Sequence, residues 1–129
     1  MPQNYTFNAS TSVTATSETG YSQSQSGSFQ LNITGVDQVA TGRLDVAHDG
    51  DATIMAAAGY GRAVYVRNLD STNFVTIYNG ASSGADPIAV LEPGEFCFTV
   101  IRSTTTTIAK ADTATVPVEY FALEIDTNA

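Results

Sequence analysis

Apolar residues in this chain recur at every second position, and clusters of turn-forming residues interrupt them about every eight to twelve residues. Period two is the repeat of a strand, in which successive side chains leave on opposite faces, and no segment keeps the three-and-four spacing of an amphipathic helix. The densest such region is Ala63-Val64-Tyr65-Val66-Arg67-Asn68-Leu69 followed, after Asp70-Ser71-Thr72-Asn73, by Phe74-Val75-Thr76-Ile77-Tyr78. Two β-prone arms around four turn-forming polar residues predict a hairpin closed by a type I turn. Val64 and Val66 share one face of the first arm and Tyr65 and Arg67 the other. Val75 and Ile77 likewise oppose Phe74, Thr76 and Tyr78. Apolar residues on both faces fit a strand buried in a sandwich or in a subunit contact.

The remaining segments follow the same logic. Residues 4–14 alternate loosely through Tyr5, Phe7, Ala9 and Val13, as a first strand or an extended arm. Residues 17–28 are polar and of low complexity, too poor in apolar surface to order by themselves. They read as a long loop, or as an arm that orders against a neighbouring subunit. Phe29, Leu31 and Ile33 alternate with polar residues up to Gly35, and residues 38–47 form a further strand in which Gly42 marks a bulge. His48-Asp49-Gly50-Asp51 predicts a hairpin turn with residues 52–55 returning. Residues 56–61 read as a helical turn or loop, and residues 79–87 as a loop. Strands are expected at 88–91, 96–101, 108–111 and 116–125. Glu92-Pro93-Gly94-Glu95 carries Pro and Gly in the type II positions, and Pro117 sits near the start of the last strand. Eight to ten short strands make an all-β protein, an antiparallel β-sandwich of jelly-roll-like form, with a closed barrel as the alternative. The expected division is an arm over residues 1–28 and a sandwich domain over residues 29–129.

Composition narrows the function classes. The chain has 129 residues, enough for one domain with one core. A net charge of −8 with only five basic residues disfavours nucleic acid and anionic membrane surfaces, because no basic patch can be assembled. Charged residues make up 14%, against about a quarter in ordinary domains, so Ser, Thr, Asn and Gln supply the polar surface. Met1-Pro2-Gln3-Asn4 has neither a basic region nor an apolar run, so no signal peptide is expected, and no stretch has the length of a membrane span. The glycosylation patterns at Asn4, Asn8 and Asn32 are then coincidences of a Ser/Thr-rich chain.

Catalytic chemistry finds few footholds. His48, the one histidine, stands beside Asp49 and Asp51, but this trio lacks calcium-loop spacing and a second zinc histidine, and reads as a solvated turn. Cys97, the one cysteine, lies between Phe96 and Phe98, where a buried hydrophobe is expected rather than a thiolate paired with His48. Gly59-Tyr60-Gly61 lacks the third glycine of a nucleotide loop, and no carboxylate pair is spaced for glycoside hydrolysis. The expectation is a non-enzyme with no catalytic, cofactor-binding or metal residues. A carbohydrate-binding module using Tyr21, Tyr60 or Tyr78 as stacking platforms is an alternative, although tryptophan is absent.

Residues 64–75 (Val-Tyr-Val-Arg-Asn-Leu-Asp-Ser-Thr-Asn-Phe-Val), Leu91-Glu92-Pro93-Gly94-Glu95-Phe96, and the ending Ala109-Lys110-Ala111-Asp112-Thr113-Ala114 with Glu119-Tyr120 resemble the small virion structural proteins of tailed bacteriophages. The resemblance covers about the C-terminal half. It implies a non-enzymatic virion component made in the host cytoplasm, either a capsid decoration (cement) protein or a part of the tail, neck or fibre. Its partners would be the major capsid protein or other virion proteins and further copies of itself, as a homo-oligomer expected to be a trimer. The family offers no catalytic residues to carry over.

Overall fold

A computed structural model describes residues 3–36, 39–56, 61–80, 86–101 and 105–125, and among them there are ten strands and no helix. Strands β1 (Gln3–Thr16) and β2 (Ser22–Val36) pair only with each other, in a long antiparallel ribbon. The other eight are β3 (Val39–Val46), β4 (Ala52–Met55), β5 (Gly61–Asn68), β6 (Val75–Asn79), β7 (Asp86–Leu91), β8 (Phe96–Ile101), β9 (Thr107–Ala111) and β10 (Val116–Ile125). They form two four-stranded sheets, β3-β10-β5-β8 and β4-β9-β6-β7, in which every described pairing is antiparallel.

The alternation expected of these strands becomes a shared core. Val46, Val64, Val66, Val116, Val118 and Ala122 of the first sheet cluster with Ile54, Met55, Val75, Ile77, Leu91, Ala109 and Ala111 of the second. No described ribbon residue belongs to that cluster. Removing this surface from water, at roughly 25 cal/mol per Å2, is what holds the two sheets together.

The segment 63–78 is not a hairpin. β5 lies in the first sheet and β6 in the second, so residues 69–74 carry the chain from one sheet to the other. The reason is Asn68, which is fully buried. Its Nδ2 donates to the carbonyls of Asn73 and Leu91, both at 2.9 Å, and its Oδ1 accepts from the amide of Asp70 at 2.8 Å. Those bonds turn the backbone away from β5 and tie it to the end of β7. The Asp70 carboxylate finishes the bend by accepting from the amides of Thr72 and Asn73. His48-Asp49-Gly50-Asp51 is likewise a crossing, since β3 pairs with β10 and β4 with β9. Among strands consecutive in the chain, only β1 with β2 and β6 with β7 pair with each other.

Glu92-Pro93-Gly94-Glu95 is the expected type II turn: the Glu95 amide donates to the Glu92 carbonyl at 3.0 Å and Gly94 has φ +84. A left-handed backbone there costs an L-residue about 1–2 kcal/mol, which glycine avoids. The same turn closes on Asn68, whose amide donates to Glu95 O and whose carbonyl accepts from Gly94 N. The segments 64–75 and 91–96, separate in sequence, thus meet at one asparagine.

Three further expectations change. Gly42 is no bulge, because the β3–β10 register runs unbroken through Tyr120↔Gly42. The irregularities fall elsewhere, between Gln3 and Tyr5, between Thr53 and Met55 and between Ile77 and Tyr78. Residues 22–28 are strand rather than loop, paired with residues 10–16. A division at residues 28/29 therefore falls inside β2, and the ribbon is one element over residues 3–36. The loop or turn expected at 56–61 and the loop at 79–87 fall largely on residues outside those described.

Candidate functional site

The outer face of the first sheet is aromatic. Across the strands, Thr41, Phe121, Tyr65 and Phe98 form one row and Arg43, Glu119, Arg67 and Phe96 the next. The base of the ribbon lies over the first row: the Phe7 ring stacks on Phe98 at 5.6 Å and sits 6.1 Å from Phe121. Between β1 and this face runs an open groove of about 620 Å3 lined by Phe7, Tyr65, Phe96, Phe98 and Phe121 with Asn8. Phe96, at the groove's end and 6.0 Å from Tyr65, is 59% exposed. The Tyr65 hydroxyl donates to Glu119 Oε1 at 3.0 Å, and burial followed by this bond raises its pKa. The groove offers ring faces, with the Tyr65 hydroxyl held by Glu119 beside it, and suits contact with another apolar surface.

Beyond the groove the ribbon leaves the body. From Thr11 to Ser28 every residue is exposed. Among the described residues its two edges carry no third strand, and its turn closes through Ser17, which accepts from Gly20 N and donates to Tyr21 O. Along β1, Phe7 and Ala9 are half-buried whereas Thr6, Asn8 and Ser10 are exposed, so one face of the ribbon is turned to the sheet. Thr11, Val13 and Ala15 continue that face outward. There Val13, opposite Gln25, is 68% exposed.

The residues weighed for chemistry do not converge. His48, Asp49 and Asp51 are exposed in the β3–β4 crossing. Among the described residues no three His, Cys, Asp or Glu side chains lie close enough to hold a metal ion. Cys97 packs half-buried against the core on β8, and burial pushes its thiol pKa up, partly offset by a backbone hydrogen bond with Val66. β8 and β3 are opposite edges of one sheet, which keeps Cys97 from His48. Tyr21 is at the ribbon tip and Tyr78 on β6 of the other sheet, so they share no platform; Tyr60 and Gly59 lie outside the described residues. No helix among the described residues is long and apolar enough to cross a membrane.

Sequence reasoning missed one polar pair. Arg62 and Glu124 are cross-strand partners, both buried. Arg62 donates through one terminal nitrogen to the Thr105 carbonyl and to Thr107 Oγ1. Burial lowers the guanidinium's pKa while the charge of Glu124 raises it. Parity was the signal: Arg62 keeps step with Val64 and Val66, and Glu124 with Val118 and Ala122. No protein-family model matches the chain, and neither a curated protein nor a solved structure is significantly similar to it.

Proposed function

We propose that the chain is a non-enzymatic structural subunit of a tailed-phage particle, a decoration protein that seats on the major capsid protein and stabilises the head shell. The observation that carries this reading is the exposed ribbon of residues 11–28, an ordered arm with no core of its own, held at its root by an aromatic groove. Ordering such a segment costs about 1–2 kcal/mol of backbone entropy per residue, and contacts with another chain are the means of offsetting it. The body supports the reading. Eight strands in two four-stranded sheets, with the chain crossing between sheets at most links, are read here as a jelly-roll sandwich, an architecture that serves in capsids. The resemblance of segments 64–75 and 91–96 to small virion proteins points the same way, and their meeting at Asn68 gives both motifs a structural role. In this reading the protein resides in the virion, its partners are the shell protein and further copies of itself, and it needs no cofactor.

Counting the chain in purified particles by quantitative mass spectrometry tests the assignment, alongside the melting temperature of shells with and without it. Hundreds of copies and a raised shell melting temperature are expected. A handful of copies would move the protein to the tail, neck or fibre, and absence from particles would overturn the reading.

A further inference from the structure

The ribbon presents a problem that native β-proteins ordinarily solve within one chain. A strand edge is a row of backbone donors and acceptors that templates further pairing, and it is usually blunted by lysine, proline, inward charge or a covering element. Between Gln3 and Val36 there is no Lys, Arg or Pro, and Glu18, in the turn, is the one charged residue. Ser10–Thr16 pair with Ser22–Ser28 on one side each, and no described strand lies on the other side of either. In a two-stranded antiparallel ladder alternate residues point their N–H and C=O groups outward, so both edges are sticky over about 20 Å. A lone two-stranded ribbon is marginal in water, whereas further strands over an apolar face make it independently stable.

Charge selects the occupant. The chain carries −8, so copies repel wherever their acids meet, yet the ribbon holds only one of the thirteen. An identical ribbon therefore adds almost no like charge there. The two faces are chemically distinct: Ser12, Thr14 and Thr16 with Ser22, Ser24 and Ser26 make one face wholly hydroxylated. Thr11, Val13 and Ala15 with Gln23, Gln25 and Gly27 make the other, which carries the exposed aliphatic side chain of Val13 beside two amides. Turned inward in a closed barrel, that face takes Val13 and Ala15 out of water and lets the Gln23 and Gln25 amides pair with one another, and closure alone removes every edge.

We propose that the ribbons of three copies pair edge to edge, β1 of each against β2 of the next, into a closed six-stranded antiparallel stem with Thr11, Val13 and Ala15 facing inward. Because the ribbons run side by side in the same direction, β1 meets a neighbouring β2 antiparallel, as within the ribbon itself. The contact is head-to-tail and closes as a ring. This deepens the proposed function by naming the surface that makes the oligomer, and it takes from that reading only the expectation that copies assemble.

Light scattering on the full chain, with variants on each face of the ribbon, tests it. The wild type is expected to be a trimer. Val13→Lys with Ala15→Lys, which places three sets of charges inside the stem, should give a monomer, while Ser24→Lys on the hydroxyl face should stay trimeric. Amide hydrogen exchange on the wild type needs no variant: residues 11–16 should all be protected in the stem, against alternate residues only in a free ribbon. A wild-type monomer up to its solubility limit, a trimer that survives the double lysine variant, or alternate-only protection would each overturn the proposal. A trimer that never joins a particle would leave the stem standing and remove the virion reading instead.

Discussion

In β5 every second side chain meets a facing sheet: Val64 and Val66 are buried among valines, isoleucine and leucine contributed by both layers. In β1 the same alternation runs on from Phe7 to Val13, and Val13 is 68% exposed, with nothing over it. Body and ribbon thus use one local rule with opposite outcomes. Strand formation follows from alternation and pairing, whereas burial requires a second layer, which the chain supplies to its C-terminal part and withholds from residues 11–28. The polar interior differs in kind too. The body spends its buried polar groups on Asn68 and the Arg62–Glu124 pair, while the ribbon's hydroxyls and amides are on the surface.

Substitutions that treat the two regions alike separate them. The largest effect is expected from Glu124→Ala, which leaves the buried Arg62 without its counter-charge and costs about 3–5 kcal/mol in urea unfolding. Asn68→Ala comes next. It removes the donors to Asn73 and Leu91, and each buried group left unpaired costs about 1–3 kcal/mol. In the ribbon, Val13→Ser should change the stability of the body by no more than about 0.5 kcal/mol. A loss comparable to that of Asn68→Ala would show that the ribbon belongs to the core after all.

The smallest effect is electrostatic and confined to the sheet-to-sheet crossing. Hydrogen bonds from the backbone amides of Asn73 and Thr72 hold the Asp70 carboxyl below the ordinary carboxylate range. A depressed folded pKa means that the contribution is complete above the unfolded pKa and is lost as pH falls through the folded one. Asp70→Asn should therefore flatten the acid limb of the stability profile and leave its slope near neutrality unchanged. A variant as acid-sensitive as the wild type would contradict this.

Most strands were legible in the sequence because period two is local: 96–101 and 116–125 match β8 and β10 to the residue. The layering was not. Asp70-Ser71-Thr72-Asn73 and His48-Asp49-Gly50-Asp51 announce a reversal of the chain but not whether the next strand rejoins its sheet or crosses to the other. At the first of these the answer lies in Asn68 reaching Leu91, a contact between residues far apart in sequence. The Ser/Gln run was misread for a related reason. Its strand character comes from pairing with residues 10–16 and not from apolar content of its own. Of the aromatic groove, the two-faced pattern at Tyr65 was visible, but its roof, Phe7, sits on a separate sheet that no spacing in the sequence could place there.

The central claim is that the body folds alone and the ribbon assembles. Sedimentation equilibrium of the chain lacking residues 1–37, with its thermal unfolding followed by circular dichroism, tests both halves in one preparation. The account expects a monomer that unfolds cooperatively, weakened chiefly by the loss of Phe7 against Phe98 and Phe121, pairs worth about 0.5–1.5 kcal/mol each beyond their buried area. A shortened chain that cannot fold, or one that remains trimeric, would contradict it.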